Sequence, residues 1–191
     1  MNNPEREIEV KLIHLDEGFE SRLLEHGARF DVEEEQINVR VNSTSHPIPD
    51  PSYLRVRTIR ISGQADRHEL TFKRRVNAHQ ARVNEEFTVS VEDADALLSL
   101  LRQVGYDQQQ RGRKQRRRYL WEDFRIEFDR WDTETLPFSY VEVEASSPER
   151  LNRFYRTFEI PEQAICTESI AELQQDVREG KRDPITGRLL G

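Results

Sequence analysis

The sequence predicts an α+β domain built on antiparallel strands, and three observations support this fold class. About eight short segments alternate apolar and charged residues, as strands with one buried face do. Most of these segments are joined by short turn-forming stretches such as "SGQADR" rather than by helices. None reads as the continuous apolar run that a parallel sheet requires. A closed barrel is one arrangement that such strands allow.

The N-terminal half contains five predicted strands and two helices. The first strand is "EREIEVKL", in which Ile8, Val10 and Leu12 share one face. A short helix follows in "LDEGFESRLLEHGA", with Asp16 as a candidate cap and Gly27 at its end. The next strands are "INVRVN", "YLRVRTIR", "HELTFKRR" and "ARVNEEFTVSV", and the last of them leads into the helix "DADALLSLLRQVGY". The Pro- and Ser-rich stretch "STSHPIPDPS" between two of these strands predicts a loop.

The C-terminal half adds three strands and two helices. The stretches "RKQRRRYLW" and "FRIEFDRW" predict a hairpin that turns at Glu122 and Asp123, and "FSYVEVEA" is the eighth strand. Ser147 and Pro148 mark the start of the helix "SSPERLNRFYRTF". We expect a final helix over 168–178, a single domain over 1–179, and a loosely ordered tail over 180–191.

Composition and charge limit the possible functions. Charged residues make up 34% of the 191 residues and the net charge is −7, which argues against a general nucleic-acid binder. The single cysteine, Cys166, excludes an internal disulfide, and the five histidines lack metal-ligand spacing. We find neither a signal peptide nor an apolar run that could span a membrane, so we expect a cytoplasmic protein and no membrane partner.

The polar faces of the strands separate by charge type. Four strands carry mainly Lys and Arg, whereas the first, seventh and eighth concentrate carboxylates. Each strand alone is typical of a sheet with one solvated face, but a solvated face usually mixes both signs. If the sheet closes with these faces inward, a cationic wall opposes an acidic wall. Arg and Lys bind phosphate oxygens, and carboxylates beside them hold Mg²⁺ or Mn²⁺, so this pattern favours a metal-bound polyphosphate.

The motifs then match a known family in order. Glu7-x-Glu9-x-Lys11 resembles the ExExK signature of the CYTH domain, the triphosphate tunnel metalloenzyme superfamily. "LRVR", "LTFK", "RVNEE", "RRRY", "IEFD" and "VEVE" resemble the motifs of its later strands, in the same order, over 5–145. The resemblance implies a closed eight-stranded antiparallel β-barrel with helices packed outside. Its lumen would bind a small-molecule triphosphate and a divalent metal.

The resemblance also implies roles for individual residues. Metal would be held by Glu7, Glu9, Asp129, Glu142 and Glu144. The triphosphate would be held by Lys11, Arg40, Arg55, Arg57, Lys73, Arg82, Arg116 and Arg118. Lys11, Glu9 and Glu86 would act in catalysis. Asn84 departs from the family pattern, in which a Glu is common at that position, and the second strand lacks the usual acidic and aromatic residues.

The leading interpretation is Mg²⁺- or Mn²⁺-dependent hydrolysis of inorganic triphosphate or a small organic triphosphate. The alternatives are a class IV-type adenylate cyclase that makes cyclic AMP from ATP, and a non-catalytic module that binds polyphosphate or nucleotide. The sequence allows a monomer or a homodimer. We further expect Trp131 to pack outside the barrel and Cys166 to pack near the last helix.

Overall fold

The computed structural model of the protein describes residues 5–77 and 81–190. The eight barrel strands are β1 (Glu5–Ile13), β2 (Arg29–Asn42), β3 (Tyr53–Arg60), β4 (Arg67–Asn77), β5 (Arg82–Val91), β6 (Gln108–Trp121), β7 (Phe124–Trp131) and β8 (Tyr140–Ala145), and a short β9 (Ile165–Cys166) follows. The helices are α1 (Phe19–Glu25), α2 (Ala94–Gln103), α3 (Pro148–Thr157) and α4 (Ile170–Arg178), with a 3₁₀ turn at Glu162–Ala164. No helix within these ranges is long and apolar enough to cross a membrane.

The sheet closes on itself, which confirms the predicted barrel. All neighbouring strands are antiparallel, in the order β5-β4-β3-β2-β6-β7-β8-β1, and β1 also pairs with β5. β1 closes the ring because it pairs with β8 through 8–13 and with β5 through 5–9. Closure satisfies the backbone groups that an edge strand would leave unpaired.

Helices cover most of the apolar outer surface of the barrel. α1 and α3 pack on β1, β6, β7 and β8, where Phe154 and Phe19 are almost completely buried. The Phe154 ring lies 4.6 Å from that of Phe158 and 5.3 Å from that of Phe124, centroid to centroid. α2 packs on β2 and β3 through Ala94 and Leu98.

The outer face of β4 and β5 is an exception to the expected helix cover. Phe87 is 41% exposed and Val89 is 53% exposed, and Phe87 lies 6.3 Å from the ring of Phe72. Phe72 and Phe87 are direct partners in the antiparallel register, so they stabilise each other as a cross-strand aromatic pair.

The helix starts carry the capping groups that helix N-termini require. The Asp93 side chain accepts from Ala96 N at 2.9 Å, and Ser147 accepts from Arg150 N at 3.3 Å. Ser169 and Glu172 form a capping box at the start of α4. The expected cap of α1 is displaced, because Gly18 takes the N-cap position and Asp16 instead accepts from the Gly18 N–H at 2.9 Å.

α4 packs on one end of the barrel, where β1 ends and β8 begins. Its Leu173 is fully buried in a cluster with Ile13, Phe138 and Tyr140, and Cys166 packs there as expected. Arg75 of β4 pairs with Glu172 of α4 at 2.8 Å. The helix therefore connects two sides of this end of the barrel.

Trp131 corrects one expectation, since it does not lie on the outer face of the barrel. It shares the inward parity of Asp129, and its register partner is Lys114. The Lys114 ammonium lies 5.3 Å from the Trp131 ring centroid, and the indole N–H donates to the Tyr140 hydroxyl at 3.0 Å. The ring thus helps to fill the end of the barrel covered by α4.

The segment after α4, which we expected to be loosely ordered, lies against the domain. Arg182 is 5% exposed, donates to the Gly187 carbonyl at 2.6 Å and pairs with Glu168 at 2.7 Å. Arg182 and Leu189 form an isolated antiparallel bridge. The domain boundary at 179 stays a prediction.

The contact of Gly187 with the domain can be tested by substitution. Gly187 has φ +72°, and a Cβ there would lie 2.6 Å from Ile13 Cγ2 and 2.7 Å from Phe138 Cδ2. We expect Gly187→Ala to release 181–190, measured as faster amide hydrogen exchange in that segment. Gly63→Ala is the matched control, because Gly63 has φ +77° with nothing within 4 Å of an added Cβ. Both variants carry a backbone strain of about 1–2 kcal/mol, because each places alanine at a positive φ. Equal amide exchange of 181–190 in the two variants would therefore contradict a packing role for Gly187.

Candidate active site

Alternation along the eight strands directs charged side chains into the lumen of the barrel. The register aligns Glu9 with Glu144 and Lys11 with Glu142 across β1 and β8, and Arg116 with Asp129 across β6 and β7. The buried charged residues are Glu9, Lys11, Glu34, Lys73, Arg82, Lys114, Arg116, Glu127, Asp129 and Arg182, and all but Arg182 lie on barrel strands. A barrel interior with this many charges needs pairing within it or a charged ligand.

One group of carboxylates surrounds a single lysine, and we call Glu7, Glu9 and Glu86 the carboxylate cluster. The Lys73 ammonium pairs with Glu7, lies 2.7 Å from Glu86 Oε1 and lies 3.4 Å from Glu9 Oε2. Glu9 is also held on its other oxygen, by the Asn84 amide at 3.1 Å. Three neighbouring strands contribute to this arrangement: β1 supplies Glu7 and Glu9, β4 supplies Lys73, and β5 supplies Glu86.

The carboxylate cluster has more negative charge than its lysine balances. Burial, together with the neighbouring Glu9 and Glu86, raises the pKa of Glu7 to about 8 although Lys73 opposes the rise. Burial also disfavours the charge on Glu86, but Lys73 and Arg55 outweigh it and hold the pKa of Glu86 below its ordinary value. The protonated form of Glu7 is therefore favoured at neutral pH, and Arg82, 3.3 Å from Glu9, is the second cation beside the cluster.

A second charged group lies on β6, β7 and β8. Arg116 binds Asp129 with two hydrogen bonds of 2.7 Å and also pairs with Glu127. Lys114 donates to Asp129 at 2.8 Å. Glu142 lies farther from its cations, 3.7 Å from Lys11 and 3.7 Å from Arg116.

Two half-buried arginines of β3 face the lumen, and we call Arg55 and Arg57 the arginine pair. Within residues 5–77 and 81–190, neither forms an ion pair, and Arg55 Nε has no hydrogen-bond partner. Arg57 donates to a neutral acceptor, Asn38 Oδ1, at 2.9 Å. Burial and the nearby charges of Arg55 and Arg116 lower the pKa of Arg57 to about 10. These two guanidinium groups form a site that favours an anion.

Several predicted residues lie away from the carboxylate cluster and the arginine pair. Arg40 pairs with Asp50 at 3.3 Å and lies over the Tyr53 ring, at the end of β2. Glu144 pairs with Arg125 at 2.7 Å, and Arg118 pairs with Glu127 at 2.8 Å. Arg82 faces Glu9 at 3.3 Å and so lies next to the cluster.

The prediction of site residues omitted some that share the lumen. Lys114 and Glu127 have the same strand parity as the predicted Arg116 and Asp129, and that parity could have identified them. Glu34 is 3% exposed and lies 3.6 Å from Arg118. The acidic run "DVEEE" was the signal for Glu34, because β2 begins at Arg29 rather than near Ile37.

The donor set fits a divalent cation by its chemistry. Within the part of the chain that the structure describes, no three Asp, Glu, His or Cys side chains converge closely enough to hold a metal as they stand. The crowding that raises the pKa of Glu7 also raises the pKa of Glu144, through burial and the charges of Glu127 and Glu142. Hard carboxylate oxygens with uncompensated charge are the ligands that Mg²⁺ and Mn²⁺ prefer.

Comparisons with known proteins place this fold. The PH1012 protein of Pyrococcus horikoshii OT3 is 23% identical, covers 87% of this chain and 98% of its own, and superposes with a TM-score of 0.71. The PH1819 protein of the same organism is 20% identical over 90% of this chain and 99% of its own, with a TM-score of 0.73. These likenesses show a shared fold.

A third protein with the same fold has a described activity. HpAC1 from Hippeastrum, described as a candidate adenylyl cyclase with a dominant triphosphatase activity, is 21% identical with a TM-score of 0.61. It covers 93% of this chain and 98% of its own. No curated protein matches the chain. The family model of the CYTH domain matches residues 5–172, and the chain therefore belongs to the CYTH domain family.

Proposed function

We propose that the protein is a divalent-metal-dependent triphosphatase that hydrolyses inorganic triphosphate or a small organic triphosphate inside the barrel. The observation that carries this proposal is the arginine pair. These two guanidinium groups form no ion pair among the residues that the structure describes, so their donors are available to an anion, and burial lowers the pKa of Arg57 to about 10. The triphosphatase activity described for HpAC1 supports the same conclusion.

The basic residues around the arginine pair suit a chain of phosphates rather than a single one. Lys11 is 1% exposed, and its nearest carboxylate, Glu142, is 3.7 Å away, which leaves the ammonium able to donate to a phosphate oxygen. Further positive charge comes from Lys73 on β4, Arg82 on β5, and Arg116 and Arg118 on β6. Arg40 lies at the end of the lumen and would contact the end of a longer substrate.

The carboxylates would hold the metal on the other side of the phosphates. Glu7 and Glu9 belong to the carboxylate cluster, and Asp129, Glu142 and Glu144 lie across β7 and β8. When bound, Mg²⁺ or Mn²⁺ would neutralise phosphate charge and lower the pKa of coordinated water.

Charge stabilisation and the orientation of the attacking water would be carried out by side chains of the lumen. Lys11, with the arginine pair, would stabilise the charge that develops on the transferred phosphoryl group. The lowered pKa of Glu86 keeps its carboxylate ionised at neutral pH, so it can orient an attacking water by accepting a hydrogen bond from it. Glu9 is held in one orientation by Arg82 and Asn84, which orients its oxygens toward the lumen.

A turnover panel tests the proposal. Inorganic triphosphate, thiamine triphosphate and ATP are each incubated with Mg²⁺, with Mn²⁺ and with EDTA, and phosphate and cyclic AMP are measured. We expect phosphate release that requires metal and disappears with EDTA. Cyclic AMP and pyrophosphate from ATP would identify a cyclase instead. Triphosphate binding without turnover would identify a binding module and overturn the proposal.

A further inference from the structure

Lys73 has a role in the ligand-free lumen that differs from phosphate binding. A lysine ammonium has three N–H donors and no acceptor. In this structure the Lys73 ammonium lies within 3.4 Å of three different carboxylates, those of the carboxylate cluster. Its side chain is 8% exposed, so water does not replace these partners. Its hydrogen-bonding capacity is therefore used within the protein.

The same oxygens are needed by the metal. Glu7 and Glu9 are two of the proposed metal ligands, and both are in contact with Lys73. A divalent cation and an ammonium at these oxygens repel each other and compete for the same lone pairs. A metal that binds alone must displace the Lys73 ammonium from these oxygens, and no bound anion is then present to pair with that ammonium.

Binding of triphosphate alone is also unfavourable. An anion that recruits Lys73 leaves the three largely buried carboxylates with Arg82, which contacts Glu9 alone at 3.3 Å, and this is costly. If metal and triphosphate arrive together, the metal replaces Lys73 at the carboxylates and the phosphate receives the ammonium. The four-carbon stem of a lysine allows such a shift without movement of the strand.

We propose that Lys73 is the resident counter-ion of the carboxylate cluster, and that metal and triphosphate consequently bind cooperatively, each freeing the partner that the other needs. The proposal rests on the proposed function for the identity of the two ligands. Because coupling between two sites is reciprocal, triphosphate should tighten metal binding by the same factor as metal tightens triphosphate binding. Lys73 acts here as a positioning residue.

Metal binding without turnover is the decisive measurement. Free Mn²⁺ is followed by electron paramagnetic resonance during titration of wild type, Lys73→Met and Lys114→Met, with and without imidotriphosphate as a non-hydrolysable anion. We expect Lys73→Met to bind Mn²⁺ alone about 5- to 150-fold more tightly than wild type, the range typical of coupled sites. We also expect it to lose most of the coupling to imidotriphosphate.

Lys114→Met is the matched control. It removes another buried lumen lysine but one that contacts a single carboxylate, Asp129, which Arg116 still holds. We expect it to change the affinity for Mn²⁺ alone far less than Lys73→Met does. Equal effects in the two variants, or an unchanged or weaker Mn²⁺ affinity in Lys73→Met, would overturn the proposal.

A second measurement covers the case in which Lys73→Met fails to fold. In ¹⁵N-labelled wild type, the Lys73 ammonium signal should shift when Mg²⁺ and imidotriphosphate are added together and change little with either alone. A full shift with Mg²⁺ alone or with imidotriphosphate alone would contradict the cooperative exchange. Neither measurement depends on hydrolysis. If the protein binds metal and imidotriphosphate cooperatively but hydrolyses no triphosphate, the proposed function is wrong and the role of Lys73 stands.

Discussion

Glu9→Gln should lower kcat/KM for triphosphate hydrolysis by about 100-fold or more. Changing a residue that only supports a metal ligand typically costs 10- to 100-fold in metal affinity or activity, and we propose Glu9 as a direct ligand. The substitution keeps the side-chain shape and one acceptor oxygen, and removes one negative charge from the carboxylate cluster. Activity is measured with inorganic triphosphate at a range of Mn²⁺ concentrations, and the loss should lessen as Mn²⁺ increases.

The matched control for this prediction is Glu85→Gln on β5. Glu85 points outward and pairs with Arg74, while its neighbour Glu86 points into the lumen. Glu85→Gln should retain activity near that of wild type. Comparable losses in both variants would mean that the effect is general destabilisation, and thermal unfolding of both proteins checks for that. If Glu9→Gln shows the same dependence of activity on Mn²⁺ concentration as wild type, Glu9 is not a metal ligand.

Strand parity made much of the lumen predictable from the sequence. Glu7, Glu9 and Lys11 alternate with Ile8 and Val10, and the alternation alone separates the lumen face from the outer face. The same reasoning applies to Arg55 and Arg57 on β3. Local alternation is a property of the backbone and needs no knowledge of the partner strand.

The ends of strands were not predictable in this way. β2 begins at Arg29, inside a run of acidic residues that shows no apolar alternation. Its first half is held by pairing with β6, where Arg118 pairs with Asp31 at 3.7 Å and with Glu34 at 3.6 Å. Cross-strand ion pairs thus stabilise a segment that its own sequence does not mark as a strand, and Glu34 was missed for that reason.

Tertiary contacts decide the positions of two further residues. Trp131 has inward parity, yet an aromatic ring after a charged pair reads equally well as an outer, helix-covered residue. It lies inward because α4 and the start of β8 enclose that end of the barrel with Leu173, Phe138 and Tyr140. Arg40 has inward parity as well, but Asp50 in the Pro-rich loop draws its guanidinium to the end of the lumen.

Arg57→Met should lower kcat/KM by about 10²- to 10³-fold, the cost of removing one preorganised donor from a developing negative charge. The pKa of Arg57 is about 10 in the ligand-free lumen, so the guanidinium is fully charged at neutral pH. Its guanidinium forms no ion pair within the described residues, and a bound phosphate would provide the missing negative charge. Steady-state kinetics with inorganic triphosphate measure the loss, which should appear in kcat as well as in kcat/KM.

Stability should move in the opposite direction to activity. The lowered pKa of Arg57 means that burial and the charges of Arg55 and Arg116 disfavour its ionised form, so removing the charge relieves repulsion. Urea unfolding without ligand should therefore show Arg57→Met to be at least as stable as wild type. Arg60→Met on the same strand is the control. Arg60 pairs with Asp66 at 3.0 Å on the exposed outer face, so its loss should change stability little and should not affect turnover. If Arg57→Met is less stable than Arg60→Met, Arg57 stabilises the barrel and the prediction is wrong. If Arg57→Met is as stable as wild type but turns over less substrate, the protein keeps a destabilising charge because that charge binds the anion.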